Sequence, residues 1–526
     1  MSSFGDTPAL PTHLAEALAA VRQPVDLVAG PDGEISPLRP GERSPNAIAT
    51  LPPVHPEWLG DRSFLTAHGC RFPYVVGEMA RGLTTPDMVV AAVQAGFCGF
   101  FGSAGLPVDE IRGAVQQIKD ALGPDAPAWG ANLIHAPQTP DAERAVVDAF
   151  LEAGVRRVSA SAFMALSREV VRYAAKGLSL NPDGTLHRAH LVFAKVSRAE
   201  VARHFMAPPP ADLLRDLVAA GDLDAHQADL AARVPVACDL TAEADSGGHT
   251  DNRAASVLLP ELIGLRGEVA QAHGLDPATI RIGLAGGIAT PHSVAAAFAG
   301  GAAYVLTGSI NQAATESGLS RDARDLLAQA GPADVSMAPA ADMFEQGIKV
   351  QVLRRGTLFA MRGNRMAEIY RTREGFAACS AEDRAFLEKC FGETLEAAWQ
   401  ATRDWLARAR PDELAAADTS PRRQMALVFR RYLFSGAQWA RDGRTDRRAD
   451  YQIWCGPAMG GFNRWVAGTP LADLDQRSVA AIGWTLLDGA ARLVRAQALR
   501  AAGVAVPPSA FDIRPRPLAT LQKAVA

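Results

Sequence analysis

The amino-acid sequence predicts an α/β fold: a parallel (β/α)8 (TIM) barrel with an irregular N-terminal module and a C-terminal helical domain. Three observations predict it. Between Tyr74 and Ser309, eight short apolar, β-branched runs alternate with Ala-rich segments of helical period. Three of those segments open on Thr-Pro (Thr85-Pro86, Thr139-Pro140, Thr290-Pro291) and close on glycine (Gly96, Gly154, Gly300), the start and stop chemistry of short barrel helices. The Gly-x-Gly-x-x-Gly turn that would open a doubly wound sheet is missing, as is a Walker A loop.

In order, the strands are expected at residues 74–80, 97–102, 128–134, 156–162, 191–197, 234–240, 280–287 and 303–309. Eight such units in about 250 residues match the size of a closed barrel. A Pro-led stretch with two helical patterns, about 204–233, interrupts the beat between the fifth and sixth strands and is expected over the barrel mouth or side. Residues 1–69 are rich in proline and glycine, with little sustained period, and read as the irregular module. The barrel is expected over 70–375. From 376 to 526 the pattern becomes helical, opening on the amphipathic run "SAEDRAFLEKCFGETLEAAWQATRDWLARARP".

Composition narrows the function. The 53 basic and 57 acidic residues give a net charge of −4, so no global field draws in nucleic acid or an anionic membrane surface. The six cysteines are widely spaced, without C-x-x-C pairs or a disulfide framework, and read as reduced thiols. The start "MSSFGDTPAL" lacks a basic then apolar leader, and Val294–Leu306 is too short to span a bilayer, so a cytoplasmic protein is expected.

Barrel chemistry gathers at the C-terminal ends of the strands, with phosphate commonly held after strands seven and eight. Those places carry Gly286-Gly287, ahead of the Thr290-Pro291 helix start, and Thr307-Gly308-Ser309. Bare glycine amides near a helix start suit an anion. A structural turn is equally open for either pair alone; their joint position favours a phosphorylated substrate or a flavin mononucleotide.

The loop "EADSGGHTDNR" follows strand six. Gly247-Gly248 would let the backbone pass close to a flat ligand and deliver His249, a ring suited to moving or orienting a proton. Asp245, His249 and Asp251 as metal ligands are a minor alternative without a second histidine, and no metal is assigned. Ser246 or Ser309 as a hydrolytic nucleophile lacks a Gly-x-Ser-x-Gly elbow.

Together "GEMA" at the first strand end, "GANL" in the third, "SGGH", "AGGI" and "TGS" resemble the flavin-dependent nitronate monooxygenase and enoyl reductase superfamily. "VVGEMARGLT", "EADSGGHTDNR", "MAPAADMFEQGIKVQVLRRGTLFAMR" and "DYQIWCGPAMGGFNRW" resemble one branch of it, the PfaD-type proteins of polyunsaturated fatty acid and polyketide biosynthesis, which include trans-acting enoyl reductases. The resemblance covers about residues 51–500.

It implies FMN, reduced by NADPH or NADH, giving hydride to the β-carbon of an enoyl thioester on an acyl carrier protein within a synthase system. Carried onto this chain, Gly77, Glu78 and Met79 would line the isoalloxazine, Asn132 would bond its ring edge or ribityl chain, and Gly286, Gly287, Gly308 and Ser309 would hold the phosphate. His249 would sit over the ring. Ser246 and "SINQ" depart from the nitronate monooxygenase pattern and weaken that alternative; a non-catalytic docking component of a synthase is the other.

Eight arginines stand between Pro421 and Asp450 against three aspartates, a candidate basic face for an acidic carrier protein, or simply a solvated one. The helical part resembles the inserted helical subdomain of malonyl-carrier-protein transacylases, without a transferase Gly-x-Ser-x-Gly.

Overall fold

The computed structural model describes residues 10–137 and 139–523 of the chain. The leader reading of the first nine residues and the outermost ends of the expected terminal domains fall outside that range. Two compact units emerge. One comprises the chain up to Ala244, Arg253–Ser317 and everything from Arg464 onward; the other comprises Asp245–Asn252 and Gly318–Asn463. The division therefore does not fall near 376: residues 318–375 belong with the helices that follow them, and the last part of the chain returns to the barrel unit.

In the first unit the strands β1 (Tyr74–Val76), β2 (Cys98–Phe101), β3 (Trp129–Ile134), β4 (Arg157–Ser161), β5 (Leu191–Val196), β6 (Asp239–Glu243), β7 (Arg281–Ala285) and β8 (Val305–Thr307) pair in parallel and close into a barrel. All eight lie where alternation places them except β6, which starts five residues later than expected. The apolar run before it leads up from the preceding helix, with Val236 and Ala237 donating to the carbonyls of Ala207 and Phe205.

Thr85 caps its helix by accepting from Met88 N, and Thr290 forms a capping box with Ser293. Thr139 makes no side-chain cap.

Side chains two apart share a strand face, so β6 sends Asp239, Thr241 and Glu243 into the lumen at successive levels. The middle is aromatic: Phe193, Phe100, Phe64 and Tyr304 form one buried cluster, and Thr241 Oγ1 meets Tyr304 Oη at 2.7 Å. Gly283 is obligatory there, because a Cβ would stand 2.4 Å from the Tyr304 ring.

The N-terminal end is plugged by helix Arg62–His68. There Arg281 chelates Asp239 at 2.7 and 2.8 Å, His68 Nε2 lies 2.9 Å from the same carboxylate, and Arg157 Nε donates to His68 Nδ1 at 3.1 Å.

The stretch between β5 and β6 forms helices Ala211–Ala219 and Ala225–Ala231. It lies along the barrel's side rather than over its mouth, since Asp222 between them binds Arg144 and Arg168 on the helices that follow β3 and β4.

The N-terminal module is more regular than its proline content suggests: Val25–Ala29 pairs antiparallel with Ile35–Pro37 and Ala49–Leu51 beside helix Thr12–Ala19. Its core includes Leu14, Leu18 and Leu27 together with Ala496 and Leu499 of helix Val479–Ala501. That long helix also lies on the barrel, where Gly489 admits Pro291 and Trp484 Nε1 donates to Ala95 O.

The second unit has a three-stranded antiparallel sheet, Gly248–His249, Lys349–Leu353 and Val335–Pro339 in that order. Helices Phe359–Thr372, Ala381–Phe391, Leu395–Ala409, Pro411–Asp418 and Pro421–Asp442 follow. Phe344, Val350, Phe359, Met366, Phe429 and Tyr432 belong to its core. Within that interior, the Asp450 carboxylate takes the Tyr432 hydroxyl and the guanidinium groups of Arg362 and Arg447.

Candidate active site

At the C-terminal end of β1 the chain turns through Gly77, Glu78 and Met79. Gly77 N donates to Thr307 O on β8 at 2.9 Å, and a Cβ on Gly77 would strike Leu306 at 2.5 Å. Its smallness is therefore set by the neighbouring strand. Thr84, buried and unremarked in the sequence, pins the turn by accepting from Met79 N at 2.8 Å and donating to Gly77 O at 2.9 Å. Gly102 lets the Met79 carbonyl approach, since a Cβ there would overlap it.

After β7, Gly286 and Gly287 both adopt the left-handed backbone, with φ of 83° and 71°. The capped helix Pro291–Ala299 follows. Gly308 precedes the short 3-10 turn Ser309–Ala313. Among the described residues, leaving aside each glycine and its two chain neighbours, no atom lies within 4 Å of where a Cβ of Gly287 or Gly308 would stand. Bare amides beside open space are what an anionic group requires.

Asn132 is buried on β3. Its Nδ2 donates to Ser159 O and Ser161 Oγ, both at 2.9 Å, and Ser103 Oγ donates to its main-chain carbonyl. With the amide nitrogen committed to β4, a ligand contact falls to the side-chain oxygen.

The charged top of the lumen eluded sequence reasoning apart from Glu78. Lys195 Nζ on β5 lies 3.0 Å from Glu78 Oε1 and 3.2 Å from Glu243 Oε1 on β6. Strands β1 and β5 are four places apart in either direction around the barrel, so this triplet bridges the lumen. Apart from that ammonium, neither Glu78 oxygen has a hydrogen-bond donor among the described residues. Burial pushes the Lys195 ammonium toward its neutral form, but the charges of Glu243 and Glu78 outweigh it, and its pKa sits above the ordinary lysine value.

Gly247, Gly248 and His249 belong to the second unit. Gly248 and His249 pair with Gln351 and Val350, while a Cβ on Gly247 would lie 2.8 Å from Cys455 N, so that glycine serves a close backbone crossing. His249 Nε2 lies 3.7 Å from Asp342 Oδ1, an acidic partner that no spacing in the sequence points to. Burial raises the Asp342 carboxyl, but the imidazole and Arg430 outweigh it and hold it below the usual aspartate range. Asp245 accepts from Asn252 Nδ2 and Gln351 Nε2. Among the described residues no group of His, Cys, Asp and Glu has the makings of a metal site, and no helix is long and apolar enough to cross a membrane.

The basic face fares differently. Seven of the eight arginines between Pro421 and Asp450 are ion-paired: Arg422 with Glu374, Arg423 and Arg430 with Glu413, Arg431 with Glu393, Arg444 with Asp446, Arg447 with Asp450 and Arg448 with Asp322. Arg430 also binds Glu345 at 2.8 Å. Five of these partners lie outside the segment in sequence, so counting charge within it overstates the local positive field.

The barrel end thus combines open glycine turns, a buried carboxylate short of donors and a fixed ammonium. This donor and acceptor set fits a planar polar ring carrying an anionic tail.

The chain resembles several known proteins. The chain is 43% identical over 449 residues to a polyunsaturated fatty acid synthase subunit of Thraustochytrium sp., covering 84% of this chain and 30% of that protein. It is 38% identical to the polyketide biosynthesis protein PksE of Bacillus subtilis, covering 83% of this chain and 57% of PksE. Both relatives are therefore much longer than the stretch they share with it.

The crystal structure of the enoyl reductase domain of MlnA, from the macrolactin biosynthesis cluster of Bacillus amyloliquefaciens, superposes with a TM-score of 0.80. It is 34% identical, over 85% of this chain and 99% of that one. Residues 374–451 match the inserted helical domain of [acyl-carrier-protein] S-malonyltransferase.

Proposed function

The chain belongs to the enoyl reductase family that includes the MlnA domain, PksE and the polyunsaturated fatty acid synthase proteins, and from that premise we propose that it is an FMN-dependent, trans-acting enoyl reductase. Its substrate is an enoyl thioester on an acyl carrier protein, in polyketide or polyunsaturated fatty acid biosynthesis. The observation that carries this reading is the open space at Gly287 and Gly308, after β7 and β8, with Gly286 and Gly287 both in the left-handed backbone, in a barrel of this family.

Bound FMN supplies hydride, taken from NADPH or NADH, to the β-carbon of the substrate. The amides of Gly286, Gly287, Gly308 and Ser309 hold the phosphate. Glu78, Asn132 and the Gly77–Met79 turn face the ring. His249 delivers the proton that the α-carbon takes up, and Asp342 orients its imidazole. The two additions balance: one hydride and one proton saturate the double bond, and the carbonyl of the thioester is regenerated.

An absorption spectrum of the purified chain, taken anaerobically before and after NADPH and then with an enoyl thioester, tests this. A flavin spectrum that bleaches with NADPH and recovers with the thioester is the expected result. Nitronate-dependent oxygen uptake without thioester reduction would reassign the chemistry. A chain that takes up no FMN would leave a docking component.

A further inference from the structure

Resting on the flavin reading, we propose that the Glu78–Lys195–Glu243 triplet sets the electron affinity of the bound flavin, with Lys195 as the charge that favours the reduced form. Lys195 stands two residues beyond Phe193 on the same strand face, so the triplet is the layer directly above the aromatic core and the last charged layer before the strand ends. Glu243 pairs in register with Ala285, the residue preceding Gly286, which ties the triplet to the candidate phosphate turn.

Hydrogen-bonding capacity points the same way. An ammonium has three donors; two face Glu78 and Glu243, leaving one for an acceptor outside the triplet. The Glu78 carboxylate is nearly inaccessible and lacks any donor besides Lys195 among the described residues. One free donor beside one acceptor-only group complements the pyrimidine edge of a flavin, where carbonyl oxygens flank an N–H. A buried carboxylate without enough donors is costly unless something fills the role.

The charges then act in opposite directions. Reduction adds negative charge to the ring, so a cation against it raises the affinity for electrons and carboxylates lower it. Within the triplet, Lys195 is the cation set against the two carboxyl groups. The raised ammonium pKa means that the group keeps its charge, which makes it a fixed electrostatic element rather than a proton donor.

The experiment measures the ratio of reduced to oxidised flavin against a reference dye, anaerobically at fixed potential, in the full chain loaded with FMN. Lys195→Met is expected to shift the ratio at least tenfold toward the oxidised form, about 30 mV for a two-electron couple. Glu78→Gln and Glu243→Gln, which keep side-chain shape, are expected to shift it in the opposite direction, so the sign is readable even if Lys195→Met fails to fold.

A packing role alone would lower thermal stability or FMN affinity in these variants and leave the ratio where it was; that result overturns the proposal. A wild-type chain that takes up no FMN overturns the flavin reading and this one with it. A flavin-loaded chain with an unmoved ratio overturns this one alone.

Discussion

Arg281 grips both oxygens of Asp239, at 2.7 and 2.8 Å, inside the N-terminal end of the barrel. Both residues open their strands, β6 and β7, and pair in register. Removing one partner of a buried pair strands the other, which costs about 3–5 kcal/mol. Asp239→Asn is therefore expected to lower unfolding stability by about that amount in urea denaturation. A loss below about 1 kcal/mol would mean that the network is hydrated or easily rearranged.

The same network gives a pH dependence. Arg157 Nε donates to His68 Nδ1, so the ring's proton is on Nε2, facing Asp239, and the imidazole is neutral. Burial holds its pKa below the usual value against the upward pull of Asp239. The stability tied to neutral His68 is complete above about pH 6.5 and falls away as the pH drops through the lower folded value. For Asp239, burial raises the carboxyl, but His68 and Arg281 outweigh it and hold it below the usual range, so its contribution is lost only in stronger acid. Calorimetry from pH 7.5 to 5 should show a falling Tm in the wild type and a flatter dependence in His68→Gln; parallel slopes would refute the assignment.

His249→Ala should keep bound FMN and lose about 10²–10⁴-fold in turnover of an enoyl thioester. Asp342→Asn should lose less and displace the pH profile of kcat, because it acts through the imidazole. Full turnover in His249→Ala would remove the ring from the reaction.

Two glycines separate packing from binding. Gly283→Ala drives a Cβ to within 2.4 Å of the Tyr304 ring and should destabilise the barrel by about 1–3 kcal/mol. Gly287→Ala meets open space, with only a left-handed backbone costing about 1–2 kcal/mol. Its larger effect should be on FMN affinity, read by fluorescence titration; unchanged affinity would exclude Gly287 from the phosphate site.

Arg430→Glu sets a third carboxylate against Glu345 and Glu413. The expected result is a loss of about 1 kcal/mol in stability, with the KM for a carrier-bound substrate little changed. A raised KM at unchanged stability would restore the basic docking face.

The barrel was legible in the sequence because seven of its strands are short apolar runs bounded by turn residues, the signal that buried parallel strands leave. The sixth was misplaced for the converse reason. Asp239, Thr241 and Glu243 face the lumen, so the true strand looks polar, while the Val234–Ala237 approach looks like a strand. Lys195 and Glu243 escaped notice as site residues on the same ground: charges at strand ends read as solvated, and only closure of the barrel brings Lys195 to Glu78. The arginine partners Glu345 and Glu374 are remote in sequence, and no local count finds them.

The long helix Val479–Ala501 of the barrel unit has a bearing on how the protein is made. A ribosome has finished every barrel strand by Thr307, yet Leu499 and Ala496, which help complete the core of the N-terminal module, emerge only after the whole of Gly318–Asn463. The nascent chain must therefore carry Leu14, Leu18 and Leu27 without their final cover through most of synthesis, a span during which a holding chaperone would have an obvious grip.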